Sequence, residues 1–149
     1  MKFFIAFFLG TLAATVSSLP LAANPNVNEN LIPQFGTTAG VNATGPAGLA
    51  GAKTCDGPTK GPDGKPVPVP CTCPPDRATF IASLNANVKA GHILNNPGVS
   101  APFPTDDSKA SQLARLQTAM ATLQNLNGTG QGCPVASTTF PAQQKALQG

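Results

Sequence analysis

Two stretches of the chain carry a helical period. In "PPDRATFIASLNANVKAG", Phe80, Ile81, Leu84 and Val88 recur at steps of three and four, which lines one face of a 3.6-residue helix. Asp76 stands where an N-cap oxygen is needed and Gly91 where a chain leaves a helix, so the pattern predicts a helix over Asp76–Ala90. "TDDSKASQLARLQTAMATLQNLNG" repeats the period more strongly, with Leu113, Leu116, Met120 and Leu123. Asp106, Asp107 and Ser108 put capping oxygens and negative charge at the positive end of its dipole, predicting a helix over Ser108–Leu126. Between them, "HILNNPGVSAPFP" reads as a loop, because Asn96-Pro97 and the later prolines break any period. The tail offers a short third helix after Pro141, with Phe140 and Leu147 covering one side.

Upstream the pattern dissolves. Leu19 to Thr54 sustains neither a 3.6 nor a 2.0 period, and its small residues do not offset the entropy of ordering. This predicts a mobile arm with Leu31, Ile32 and Phe35 as anchoring residues. "GPDG" then signals a turn, and Pro66, Pro68 and Pro70 alternate with valines, which reads as a stiff extended spacer lacking the donors of a central strand. The two apolar stripes close most simply on each other. The expected fold is therefore mainly α: a small disulfide-stapled antiparallel helical hairpin preceded by a long irregular Pro/Gly-rich region. The expected organisation is a signal peptide over 1–18, an arm over 19–54 and a stapled helical domain over 55–149.

The signal peptide rests on "MKFFIAFFLGTLAATVSS": Lys2, an apolar run from Phe3 to Val16, then small residues, with cleavage after Ser18. The run is shorter than the roughly 20 apolar residues that span a bilayer, and no second apolar run follows, so no transmembrane span is expected. Export favours paired thiols. Of the three pairings open to Cys55, Cys71, Cys73 and Cys133, bonding Cys71 to Cys73 is poorest on geometry. Two pairings remain; Cys55–Cys71 with Cys73–Cys133 is preferred because it closes a small loop and pins the far end of the chain. One C-x-C and two distant singletons do not suit zinc, which favours two C-x-x-C pairs, nor a redox dithiol at a helix start.

Composition narrows the chemistry. Charged residues make up 10% and aromatics 5% of the chain, with 15 Gly and 16 Pro, far from a typical packed domain. The net charge of +3, or +2 without Lys2, lies in no basic cluster, so nucleic acid is not an expected partner. Six carboxylates and one histidine are the whole stock of common acid–base groups. Each has a turn, cap or solvated place in the pattern, and His92 follows a helix end, where it caps carbonyls. No nucleophile elbow and no phosphate-binding glycine loop occurs, so no cofactor is expected. A hydrolase would require His92 to converge with Asp76 and Asp106 or Asp107. Asn42-Ala-Thr44 and Asn127-Gly-Thr129 are N-glycosylation sequons.

"CTCPPDRATFIASLNANVKAGHILNNP" followed by "SQLARLQTAMATLQNLNGTGQGCP" resembles a group of uncharacterised small secreted proteins of filamentous fungi. The resemblance covers about the last two thirds of the chain after the signal peptide, and it implies fungal origin and an extracellular destination without transferring any site. The expected function is a non-enzymatic secreted protein that acts at an extracellular surface on a wall, host or competitor component, with the His92 hydrolase as the alternative.

Overall fold

The computed structural model of the chain describes residues 27–35 and 53–149. Three helices, α1 (Arg77–Ala90), α2 (Lys109–Gln124) and α3 (Phe140–Gln148), alternate with two antiparallel hairpins. The first hairpin pairs β1 (Thr54–Lys60) with β2 (Pro66–Pro70), and the second pairs β3 (His92–Ile93) with β4 (Asn96–Ser100). The mainly α helical hairpin is therefore wrong: 18% of the described residues are strand against 42% helix, and both segments read as spacer or loop are β-ribbons.

Proline spacing explains the first ribbon. In an antiparallel pair, hydrogen-bonded and non-hydrogen-bonded positions alternate. Thr54 faces Pro70, Cys55 faces Val69 and Asp56 faces Pro68, so a proline every second residue falls only where no donor is needed. Val67 and Val69 keep their N–H groups for β1. The outer edge of β2 is left without donors at Pro66, Pro68 and Pro70, which blocks further strand addition. On the inner face Val69 is 2% exposed. A Cβ on Gly57 would meet the Val67 carbonyl at 2.7 Å and the Ala136 carbonyl at 3.0 Å, so the ribbon lies directly on the 3-10 turn Val135–Ser137.

The helix signals act as their chemistry requires. Asp76 accepts the Thr79 N–H at 2.9 Å to open α1, and Gly91 closes it in the left-handed region at φ 75°. Ser108 accepts the Ser111 N–H at 3.1 Å to open α2. The core gathers Phe80 and Leu84 of α1, Leu116, Ala119 and Leu123 of α2, and Phe140 of α3 around the Cys73–Cys133 disulfide.

Val27, Ile32 and Phe35 belong to that same core, at 7%, 3% and 8% exposure. Phe35 packs edge-on against Phe80 with ring centroids 4.6 Å apart and against Phe140 at 5.7 Å. The segment is also hydrogen-bonded at both ends. The Val27 N–H donates to Asn85 Oδ1 at 2.8 Å, and the Phe35 carbonyl accepts the Thr139 N–H at 2.6 Å. The expected mobile arm is thus corrected over 27–35, where Ile32 and Phe35 are core residues rather than optional anchors. The packed unit does not begin at Cys55. The signal peptide over 1–18 and the rest of the arm lie outside the described residues, apart from Lys53 and Thr54.

Candidate interaction face

Gly91 turns the chain out of α1 into the second hairpin, which lies against the C-terminal end of α2. A set of side-chain amides fixes it there. Buried Asn87 donates to the Thr122 hydroxyl at 3.0 Å and accepts the Leu94 N–H at 2.9 Å. Asn95 Nδ2 donates to the carbonyls of Asn125 and Leu126 at 2.7 and 3.0 Å. Asn125 Nδ2 donates back to the Ala121 carbonyl at 2.7 Å, while its Oδ1 accepts the Gly130 N–H at 2.9 Å. The Thr129 hydroxyl donates to the Asn95 carbonyl at 2.6 Å. Close approach completes the latch: any side chain at Gly132 would collide with the Leu123 carbonyl, whose partner is the Cys133 N–H at 2.9 Å.

The consequence is a firmly held hairpin that buries Ile93 but leaves two other apolar side chains outside. Leu94 is 51% and Val99 36% exposed, the large apolar residues left on the described surface. Beneath Leu94 lies a cavity of about 140 Å³ floored by Asn87, Thr122 and Leu126, and beside Asn96 a second of about 500 Å³ runs along Gln124, Asn125 and Thr129. No charged side chain lines either cavity. Such a surface suits a neutral, hydrogen-bonding partner with some apolar area, because a charged group entering it would lose water without gaining a counter-charge.

The residues singled out from sequence distribute themselves as follows. The cysteines pair as Cys55–Cys71 and Cys73–Cys133, leaving none free to bind a metal ion. Asp76 and Asp106 are capping groups. The Thr79 hydroxyl and then its N–H hold the Asp76 carboxyl below its ordinary value of 3.8, and the Ser108 and Ser111 hydroxyls hold Asp106 down to about 2. Asp107 is exposed at the same helix start. His92 lies in β3 opposite Ser100 and not as a free helix-end cap. Asp76 and His92 flank the two ends of the 14-residue α1, which at about 1.5 Å per residue separates them by about 20 Å.

Asn127 is exposed in the turn after α2, where its N–H donates to the Gln131 carbonyl at 2.7 Å. Asn42 lies outside the described residues. Among those residues no helix is long and apolar enough to cross a membrane, and no group of three or more His, Cys, Asp and Glu side chains is placed to hold a metal ion. The asparagine latch was missed from sequence because "LNANVKAGHILNNP" shows amides only as scattered polar positions. A faint signal lay in Asn87, an amide on the same helical face as Leu84 and Phe80. The chain matches no protein-family model, no curated protein and no solved structure.

Proposed function

We propose that the chain is a secreted, disulfide-stapled protein that works by binding a neutral extracellular partner, not by catalysis, and that the face around Leu94 makes the contact. The observation that carries this reading is the combination of an uncharged, amide-latched surface with an apolar residue held half out of it. Two disulfides suit an oxidising compartment, and the resemblance to small secreted fungal proteins points the search to wall polysaccharides and to proteins met outside the cell. Two of the carboxylates that a hydrolase would recruit, Asp76 and Asp106, are committed to helix starts, with His92 near the far end of α1.

Co-sedimentation of the folded protein with insoluble wall polysaccharides, beside the variant Leu94→Asp, tests the reading. Binding by the parent and at least tenfold weaker binding by Leu94→Asp, with unchanged melting temperature, is the expected result. Turnover of ester, peptide or glycoside substrates that disappears in His92→Ala would replace the reading with the hydrolase. Equal retention by parent and Leu94→Asp would remove this face from it.

A further inference from the structure

Sharing no residue with the Leu94 face, the segment Asn30–Gln34, the first half of α2 and α3 line a groove of about 450 Å³, within the range of roughly 300–1,000 Å³ typical of small-molecule sites. Its wall holds Arg115, which is 4% exposed. A buried cation is costly unless its donors are met and its charge is balanced. Here the guanidinium is met on one side only. Nη1 donates to the Pro104 carbonyl at 2.7 Å and the Asp106 carbonyl at 2.8 Å, and no carboxylate forms an ion pair with Arg115 among the described residues. Nε and Nη2 make no hydrogen bond there. They are not fully buried either, since among the described residues the buried side-chain atom left without a partner is Arg77 Nη1. The free edge of Arg115 is therefore not sealed within the protein, and Arg115 lines the groove.

That edge is a pair of parallel donors at a fixed position, the arrangement that a carboxylate matches with two oxygens. Two carbonyls hold the guanidinium in place, so a ligand would order little on binding. Ile32, Leu116 and Leu147 give the groove apolar wall, and Gln112 and Gln143 give it amide rim. Each glutamine spends its Nε2 inside the protein, Gln112 on the Asp107 carbonyl at 2.8 Å and Gln143 on the Gln34 carbonyl at 2.7 Å. Asp107 stands on the rim as well. Its charge disfavours a dianion such as phosphate and tolerates a single negative head.

We propose that this groove is a binding site for a small monocarboxylate with a short apolar body, its carboxylate on the Nε–Nη2 edge of Arg115 and its body against Ile32, Leu116 and Leu147. The site is separate from the Leu94 face and does not depend on the function proposed for it. The test is an amide-resolved NMR titration of the intact protein with sodium hexanoate, with hexylamine and inorganic phosphate in parallel. Hexanoate is expected to shift amides around Gln112, Arg115 and Gln143, hexylamine to leave them in place, and phosphate to bind more weakly than hexanoate. Asp107→Asn, an exposed change that keeps the backbone carbonyl used by Gln112, should tighten hexanoate several-fold. Absent hexanoate shifts, equal shifts from hexylamine, or unchanged affinity in Asp107→Asn would each overturn the site. Arg115→Gln serves where it folds, and persistence of the hexanoate shifts in it would do the same.

Discussion

Aspartates at helix starts show how single residues have been used. Asp106 accepts the Ser108 N–H at 3.0 Å and a further bond from the Ser111 hydroxyl, and its carboxyl is lowered to about 2. A folded-state value below the unfolded one means that the ionised form stabilises the fold. That contribution is present in full above the ordinary value of 3.8 and disappears as pH falls through about 2. Asp106→Asn should therefore melt below the parent at neutral pH, and the gap should close between those two values; a gap independent of pH would contradict the assignment. Asp76→Ala removes the cap of α1 and should cost about 1 kcal/mol in urea unfolding at neutral pH. These roles were readable in the sequence, because a cap is a local device. The buried face of α2 was readable only in part, at Leu116 and Leu123. Arg115, Thr118 and Thr122 are buried there beside Leu116 and Leu123, whereas Leu113 is only partly covered. Their burial depends on remote carbonyls and amides: Thr118 donates to the Pro102 carbonyl at 2.7 Å, and Thr122 accepts from Asn87. No helical period announces such partners.

At the scale of elements, helices were legible and ribbons were not, for a physical reason. A helix closes its hydrogen bonds within its own span, so caps and a 3.6 period describe it fully. A two-stranded ribbon depends on which residue faces which. "PVPVP" looks unsuited to a strand until β1 places Thr54, Asp56 and Lys60 opposite the prolines. "HILNNPGVS" forms a hairpin because the amide latch of α1 and α2 holds it, and the latch can be tested as a unit. Asn87→Ala would leave the Leu94 N–H and the Thr122 hydroxyl without their partner. A loss of about 2 kcal/mol is expected, with faster hydrogen exchange at the Leu94 amide and weaker binding at the Leu94 face. Unchanged exchange at Leu94 would show that the hairpin is held by something else.

The Cys73–Cys133 disulfide and the Val27–Phe35 segment are long-range closures of the molecule, and they meet in one core. The Cys73–Cys133 disulfide spans 60 residues and the Cys55–Cys71 disulfide 16. Loop entropy assigns about 4 kcal/mol to the first and about 3 to the second. The first also lies in the core, where Cys73 and Cys133 are both 0% exposed beside Phe80 and Phe140. Phe35 reaches that core from a segment joined to it by no disulfide, and its ring touches those of Phe80 and Phe140. Removing the ring opens a cavity that the stapled helices are poorly able to fill, so Phe35→Ala should cost about 3–5 kcal/mol. The double change Cys73→Ala/Cys133→Ala should cost more than Cys55→Ala/Cys71→Ala, since it loses a longer loop and buried sulfur together. Because Phe35 and the Cys73–Cys133 bridge share neighbours, their losses should not add, whereas those of Phe35 and the Cys55–Cys71 bridge should add within about 0.5 kcal/mol. Urea unfolding of the three variants and the two combinations measures this. Additivity in both combinations would mean that the Val27–Phe35 segment is an independent attachment, and coupling confined to the Cys73–Cys133 bridge would establish that the segment and the staple stabilise one core.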